Sequence, residues 1–163
     1  GAKRAGDLGS LRAAGERHGF EVETMPTVAR DGERVSSSAV RAALAAGDLA
    51  RARTLLGRTY SIDGRVVHGD KLGRELGFAT ANVKMKHNRP PFTGIFAVRV
   101  HGLARTPLDG VASLGVRPTV TDSGRYVLEV HLFDFAEEIY GQHLRVEFLA
   151  KIRDEAKYAD LDT

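Results

Sequence analysis

From Tyr60 onward the chain is patterned with a period of two, in short runs bounded by glycine, proline or aspartate. This alternation of apolar and polar residues is typical of strands that bury one face. Nothing between the runs is long enough for the helical crossover of a parallel pair, so five or six antiparallel strands in a small closed barrel are favoured. The clearest predicted strands cover residues 64–68, 94–101, 109–116, 126–135 and 143–149.

The first part of the chain, to about Gly57, carries helical signals instead. Three serines precede an alanine-rich run at 39–46 that a glycine closes, which supplies an N-cap and a C-cap in the right order. Asp48 is placed to cap a second helix at 49–56, so the two helices are expected to form a hairpin. The other predicted elements are a helix at 7–18, a short strand at 20–24 and the start of a helix at 153–161.

The composition is that of a globular chain. Its 163 residues are 42% hydrophobic and 28% charged, which is enough apolar content for a packed core. The net charge of +3 does not mark a binder of nucleic acid or membrane. The absence of cysteine excludes disulfides, thiol nucleophiles and cysteine-ligated zinc, and no apolar run approaches the roughly 18 residues of a membrane span. We expect a soluble, cytoplasmic protein.

A glycine-rich segment at 68–78 is the first candidate for chemistry. Glycines disfavour a helix and let backbone N–H groups approach an anion, and basic side chains add charge suited to a polyphosphate. The segment departs from the Walker A motif, because leucine follows its lysine. A hairpin connection without a ligand is the simpler interpretation of the glycines alone. The residues concerned are Gly69, Lys71, Gly73, Arg74 and Gly77.

Thr80 and Asn82 follow this segment and, in an extended chain, project from one side. Their hydroxyl and amide oxygens are hard donors that suit Mg²⁺ when nucleotide phosphates and water supply the remaining ligands. The alternative is a strand start in which both side chains bond to the backbone of a turn.

Glu129 lies in the middle of a predicted strand, on the face shared by Val127 and His131. A carboxylate in that position either pairs with a cation across the sheet or faces a ligand, where it can take a proton from an attacking alcohol. For His131 an amphipathic surface role is favoured.

Three further residues have two possible roles each. The aromatic rings of Phe92 and Phe96 either form the wall of a site for a planar ligand or fill the core. Arg117, at the end of a predicted strand, suits either an anion clamp or a salt bridge.

Four motifs in this order carry a resemblance. They are Leu-Gly-Phe-Ala-Thr-Ala-Asn at 76–82, Pro-Phe-Thr-Gly-Ile-Phe at 91–96, Gly-Val-Arg-Pro-Thr at 115–119 and Leu-Glu-Val-His-Leu-Phe-Asp-Phe at 128–135. Each motif is loose, but the ordered set resembles the kinase domain of bacterial bifunctional riboflavin kinase/FAD synthetase. The match begins at about Leu56, so residues 58–163 are expected to form that domain.

The resemblance implies a mainly β fold, a six-stranded antiparallel Greek-key barrel with a C-terminal helix. It also implies transfer of the ATP γ-phosphate to the 5′-hydroxyl of riboflavin, which gives FMN and ADP. By position, the Mg²⁺/ATP pair falls on Thr80 and Asn82, the catalytic base on Glu129 and the nucleotide flap on 69–77. The family normally has proline where Ala79 stands here, and we expect a looser loop with unchanged chemistry. Phe92, Phe96 and Arg117 are the expected flavin contacts.

The front of the chain, at 1–7 and 35–41, resembles the later motifs of the same family's FAD synthetase domain. Residues 1–57 are therefore expected to be an α/β remnant of that domain, in which the segment 36–41 acts as a helix cap and in packing. Adenylation of FMN is expected only in the full-length parent. A different class of function, a small basic barrel that binds single-stranded nucleic acid, is the alternative, although 7% aromatic residues give few rings for stacking.

Overall fold

The computed structural model describes residues 6–68, 80–86, 90–117 and 125–155, and the chain divides into two compact units, Gly1–Arg34 and Val35–Thr163. The elements in the described ranges are α1 (Leu8–His18), β1 (Ala29–Arg30), β2 (Glu33–Arg34), α2 (Ser37–Ala45), α3 (Leu49–Leu56), β3 (Ser61–Val67), β4 (Thr80–Met85), β5 (Gly94–His101), β6 (Leu108–Arg117), β7 (Arg125–Leu132) and β8 (His143–Arg153).

In its described part, residues 6–34, the first unit contains one helix and one short hairpin. Asp7 caps α1 in a reciprocal capping box with Ser10, which confirms the predicted helix. The predicted strand at 20–24 is wrong, because β1 and β2 pair further along the chain. Asp31 and Gly32 both have positive φ, 49° and 78°, as a tight two-residue turn between twisted strands requires.

The second unit begins with the predicted helical hairpin. The Ser36 side chain accepts a hydrogen bond from the Ala39 amide at 3.1 Å, and Asp48 accepts one from the Arg51 amide at 2.9 Å. The inward side chains of α2 and α3 join the same core as the barrel strands. The hairpin thus belongs to one compact unit with the barrel, whereas the predicted domain boundary lies after residue 57. The boundary after residue 57 rests on the resemblance of the two parts of the chain to different domains, and it stays a prediction.

Six strands close into an antiparallel barrel in the order β3-β4-β7-β6-β5-β8. The consecutive strands β5, β6 and β7 are neighbours, and β8 returns to lie beside β5, which is Greek-key connectivity. This confirms the predicted fold class. Closure also places β4 next to β7, which is far from it in the sequence.

The barrel interior is filled by alternate residues of every strand. Four aromatic rings meet there: Phe96 lies 4.9 Å from Phe92 and 5.3 Å from Phe148 between ring centroids, and Tyr60 lies 5.5 Å from Phe92. Burial raises the pKa of the Tyr60 phenol. Edge-to-face contacts of this kind add to the stabilisation from buried area.

Two strand ends differ from the prediction. β7 ends at Leu132, three residues early, because Asp134 adopts a positive φ of 50° in the following turn. β8 continues to Arg153, so the helix expected to begin there does not. The remainder of that predicted helix, from residue 156, lies outside the described residues.

Candidate active site

The site is built on a row of three polar residues that crosses three neighbouring strands. Asn82 of β4 is the register partner of Glu129 on β7, and Glu129 is in turn the partner of Ser113 on β6. Directly opposed residues in an antiparallel pair project from the same face, with Cβ atoms about 4.5–5.5 Å apart. The carboxylate of Glu129 therefore stands between an amide and a hydroxyl.

A second row runs beside the first. Thr80, two residues before Asn82, pairs with His131, and His131 pairs with Val111. Thr80 is exposed, whereas Asn82 and Glu129 are half-buried. The structure thus brings together the three residues that the sequence predicted for metal binding and for proton transfer.

Period-two alternation determines which face carries these side chains. Ala81 and Val83 of β4 are buried in the barrel, as are Leu128 and Val130 of β7. Their neighbours must then project outward, so the polar row lies on the outside of the barrel wall. A shift of one residue in the pairing of either strand would turn Asn82 or Glu129 into the core.

β4 is also fixed on its other side, by β3. Asn82 pairs with Val67, and the preceding residue, Val66, exchanges backbone hydrogen bonds of 2.9 Å with Gly141 and Gln142. The loop that follows β7 therefore returns to the strand beside Asn82. His68 stacks on Tyr140 of that loop, with ring centroids 3.8 Å apart.

Gly115 of β6 marks the far edge of the site. It lies on the outer face two residues beyond Ser113, and a Cβ added there would collide with the carboxylate of Glu155. A side chain at this position would displace that carboxylate from the strand. Sequence reasoning missed Ser113 and Glu155. The sequence shows that Ser113 lies between the apolar residues Ala112 and Leu114, which are buried in the structure. That Ser113 lies opposite Glu129 is known only from the strand register.

Several other predicted site residues do not join this row. The glycines and basic residues of the predicted nucleotide flap, Gly69, Lys71, Gly73, Arg74 and Gly77, lie outside the described residues, as does Ala79. Arg117 is the last residue of β6, and its side chain is likewise outside the described part. Their expected roles stay predictions.

Phe92 and Phe96 are core residues in the structure. Their exposed fractions are 6% and 0%, and each packs against Phe148. Of the two roles that the sequence left open, the structure therefore favours core filling over flavin contact, and neither ring enters the proposed site.

The charge distribution of the row suits a cation between neutral donors and a carboxylate. Within the described residues no group of three or more His, Asp or Glu side chains forms a metal site. Thr80 and Asn82 instead offer two neutral oxygens from one face of one strand, as a metal held mainly by phosphates and water requires. Glu129 already has an interaction partner within the molecule.

Comparison with known proteins identifies the chain. The family model described as Flavokinase, riboflavin kinase, matches residues 56–163. The chain belongs to the riboflavin kinase family. The match covers the whole barrel, from the end of α3 through the row that contains Asn82 and Glu129.

Relatives of the riboflavin kinase family extend the similarity to the front of the chain. The chain is 49% identical over 162 residues to bifunctional riboflavin kinase/FMN adenylyltransferase of Escherichia coli (strain K12), covering 99% of this chain and 51% of that protein. It is 47% identical to the protein of the same name from Haemophilus influenzae, covering 99% of this chain and 52% of that one. The chain spans about half the length of these curated relatives.

A solved structure shares the fold. The crystal structure described as a macrolide-efflux protein from Streptococcus pneumoniae matches with a TM-score of 0.73 and 32% identity, over 94% of this chain and 49% of that chain. Among the described residues, no helix has the length and apolar character to cross a membrane.

Proposed function

We propose that this chain is a riboflavin kinase, which transfers the γ-phosphate of ATP to the 5′-hydroxyl of riboflavin and releases FMN and ADP. The observation that carries the proposal is the direct pairing of Asn82 with Glu129 across β4 and β7, with Thr80 on the same face. Membership of the riboflavin kinase family names the substrates.

Glu129 is suited to act as the general base. Its half-buried carboxylate lies next to the oxygens that would face the phosphates, so an alcohol bound against it is already beside the phosphorus it attacks. The carboxylate accepts the hydroxyl proton as the bond from oxygen to phosphorus forms, and the bond from phosphorus to the ADP oxygen breaks. Positioning of the two reactants supplies much of the remaining acceleration.

Thr80 and Asn82 would hold Mg²⁺. Their neutral oxygens project from one strand face, and the open outer surface leaves space for the water and phosphate ligands that this ion prefers. When bound, Mg²⁺ neutralises charge on the transferring phosphoryl group. The role of residues 69–77 as the nucleotide flap is part of the proposal by resemblance, supported by their glycines and basic side chains.

The proposal is tested by ADP release, measured with and without riboflavin and with and without Mg²⁺. ADP release should require both, and Glu129→Gln should lower kcat by about 10²- to 10⁴-fold. Glu147→Gln is the matched control, because Glu147 lies on the outer face of β8, three strands from β7 around the barrel. Equal losses in the two variants, or turnover independent of riboflavin, would refute the proposal.

The names of the relatives include a second activity, adenylation of FMN. We propose that this activity belongs to the full-length parent and that residues 1–163 alone make no FAD from FMN and ATP. FAD formation by this chain, followed by its absorbance, would contradict the proposal.

Binding of single-stranded nucleic acid would leave a different signature. It would appear as oligonucleotide affinity that falls steeply with salt, without flavin-dependent ADP release.

We propose a cytoplasmic location for the reaction, since a chain without cysteine forms no disulfides and does not need an oxidising compartment.

A further inference from the structure

Glu129 has two neighbours in its row, and the proposed function uses only one of them. Asn82 lies on the β4 side, and Ser113 lies on the β6 side. With strands about 4.8 Å apart, these two residues stand on opposite sides of the carboxylate, roughly 10 Å from each other. Ser113 is half-buried and projects outward, since Ala112 and Leu114 on either side of it are buried.

The geometry of phosphoryl transfer indicates which substrate lies on each side of Glu129. The attacking oxygen, the phosphorus and the leaving oxygen lie roughly in line. If the phosphates are bound on the Asn82 side, the attacking alcohol lies at Glu129, and the rest of the acceptor must extend away from the phosphates. That direction leads across the row to β6 and Ser113.

We propose that the Ser113 hydroxyl binds the polyol chain of the acceptor and so sets which hydroxyl reaches Glu129; this inference rests on the proposed function. A serine hydroxyl both donates and accepts, which matches a chain of neutral hydroxyl groups. Its neighbours on the outer face are aliphatic: Val111 precedes it on β6 and Ile95 is its partner on β5, and both are half-buried. A hydrogen bond formed beside them meets less competition from water.

The far edge of this surface carries a second acceptor. The Glu155 carboxylate occupies the space over Gly115, two residues beyond Ser113 on the same strand. A substrate hydroxyl can donate to that carboxylate, and a phosphate would be repelled by it. The β6 side therefore favours the neutral end of a bisubstrate complex over its anionic end.

The test is a comparison of Michaelis constants in Ser113→Ala, Ser113→Thr and the unchanged protein. Loss of one neutral hydrogen bond predicts a rise of about 2- to 10-fold in KM for riboflavin in Ser113→Ala, with KM for ATP unchanged. Ser113→Thr keeps a hydroxyl and should restore the lower KM. Inhibition by lumiflavin, which has the ring without the polyol, should be equal in all three.

Ser61→Ala is the matched control, because Ser61 also faces a register-paired glutamate, Glu147, but on the β3 and β8 wall. It should leave both Michaelis constants unchanged. An unchanged KM for riboflavin in Ser113→Ala, an equal rise in KM for ATP, or a parallel loss of lumiflavin inhibition would overturn the inference. If the unchanged protein releases no ADP with riboflavin, the proposed function itself fails, which is a distinct result.

Discussion

Leu128 and Val130 of β7 point into the barrel, and Glu129 and His131 between and after them point outward. The inner residues are fully buried among the side chains of the other strands, whereas Glu129 belongs to the polar row and His131 to the second row beside it. One stretch of backbone thus holds a core on one side and a candidate active site on the other. Burial of the inner residues therefore fixes the register, and the register brings the site residues together.

The largest effect is expected on the inner face. Leu128→Ala should lower the free energy of unfolding by about 2–5 kcal/mol, because it removes buried methyl groups and leaves a cavity. Urea unfolding measures this loss, and kcat per folded molecule should stay near its original value. Glu129→Gln, one residue away, should show the reverse pattern. If Leu128→Ala instead removed turnover from molecules that remain folded, the division between the two faces would be lost.

The outer face is tested next with Asn82→Ala. Loss of one oxygen contact to a charged group costs roughly 1.5–3 kcal/mol, so the Mg²⁺ concentration for half-maximal activity should rise about 10- to 150-fold. A titration of ADP release with Mg²⁺ measures the shift. KM for riboflavin serves as the internal control and should not change, since the acceptor is placed on the opposite side of Glu129. An unshifted Mg²⁺ titration would remove Asn82 from the proposed metal site.

A smaller effect is expected for a substitution in the helical hairpin, which should lower stability and leave activity unchanged. Asp48 caps α3 by accepting a hydrogen bond from the Arg51 amide, and Asp48→Ala should cost about 1 kcal/mol of stability. Asp48→Asn is the control, because asparagine is an equally good cap. Thermal unfolding should order the proteins accordingly, while ADP release stays the same. A similar destabilisation in both variants would show that the charge, and not the cap, matters.

The smallest effect concerns an ion pair on the outer face away from the row. Arg99 Nε lies 2.8 Å from Asp109 Oδ1, and the hydrogen bond from this guanidinium lowers the pKa of the Asp109 carboxyl. A lowered folded-state pKa gives stability that is present above the unfolded pKa and is lost as pH falls through the folded value. Both side chains are exposed, so the contribution is small.

Asp109→Asn should therefore lower the melting temperature slightly at neutral pH, and the difference should vanish in acid below the carboxyl pKa. Added salt should weaken it as well. A difference that grows as the pH falls would contradict the sign of the pKa shift. Activity should not change, in contrast to substitutions in the polar row.

Local patterns predicted most of the elements. Alternation and turn residues placed β5 at its observed bounds, and capping residues placed α3 at its observed bounds. The strand predicted at 20–24 failed because a short alternating run without a pairing partner does not make a strand. The helix predicted from Arg153 failed because β8 extends along β5 as far as Ile95, a partner distant in the sequence.

The site was accessible from the sequence only in part. Thr80, Asn82 and Glu129 were proposed from their chemistry and from the resemblance, but nothing local states that β4 pairs with β7. Ser113 is a lone hydroxyl between apolar neighbours, and its proposed role depends on the register that places it beside Glu129. The rings of Phe92 and Phe96 could not be assigned from spacing, since aromatic residues serve cores and ligand sites equally well.

The Greek-key connectivity of the barrel determines when the candidate active site forms during folding. Asn82 and Glu129 lie side by side only after β4 has paired with β7. A partially folded chain that lacks this long-range pairing therefore has no assembled site. Barrels with such distant contacts fold slowly compared with helical domains. The time at which a refolding sample first shows ADP release should therefore report closure of the barrel. Secondary structure, followed by circular dichroism, should form earlier than this activity.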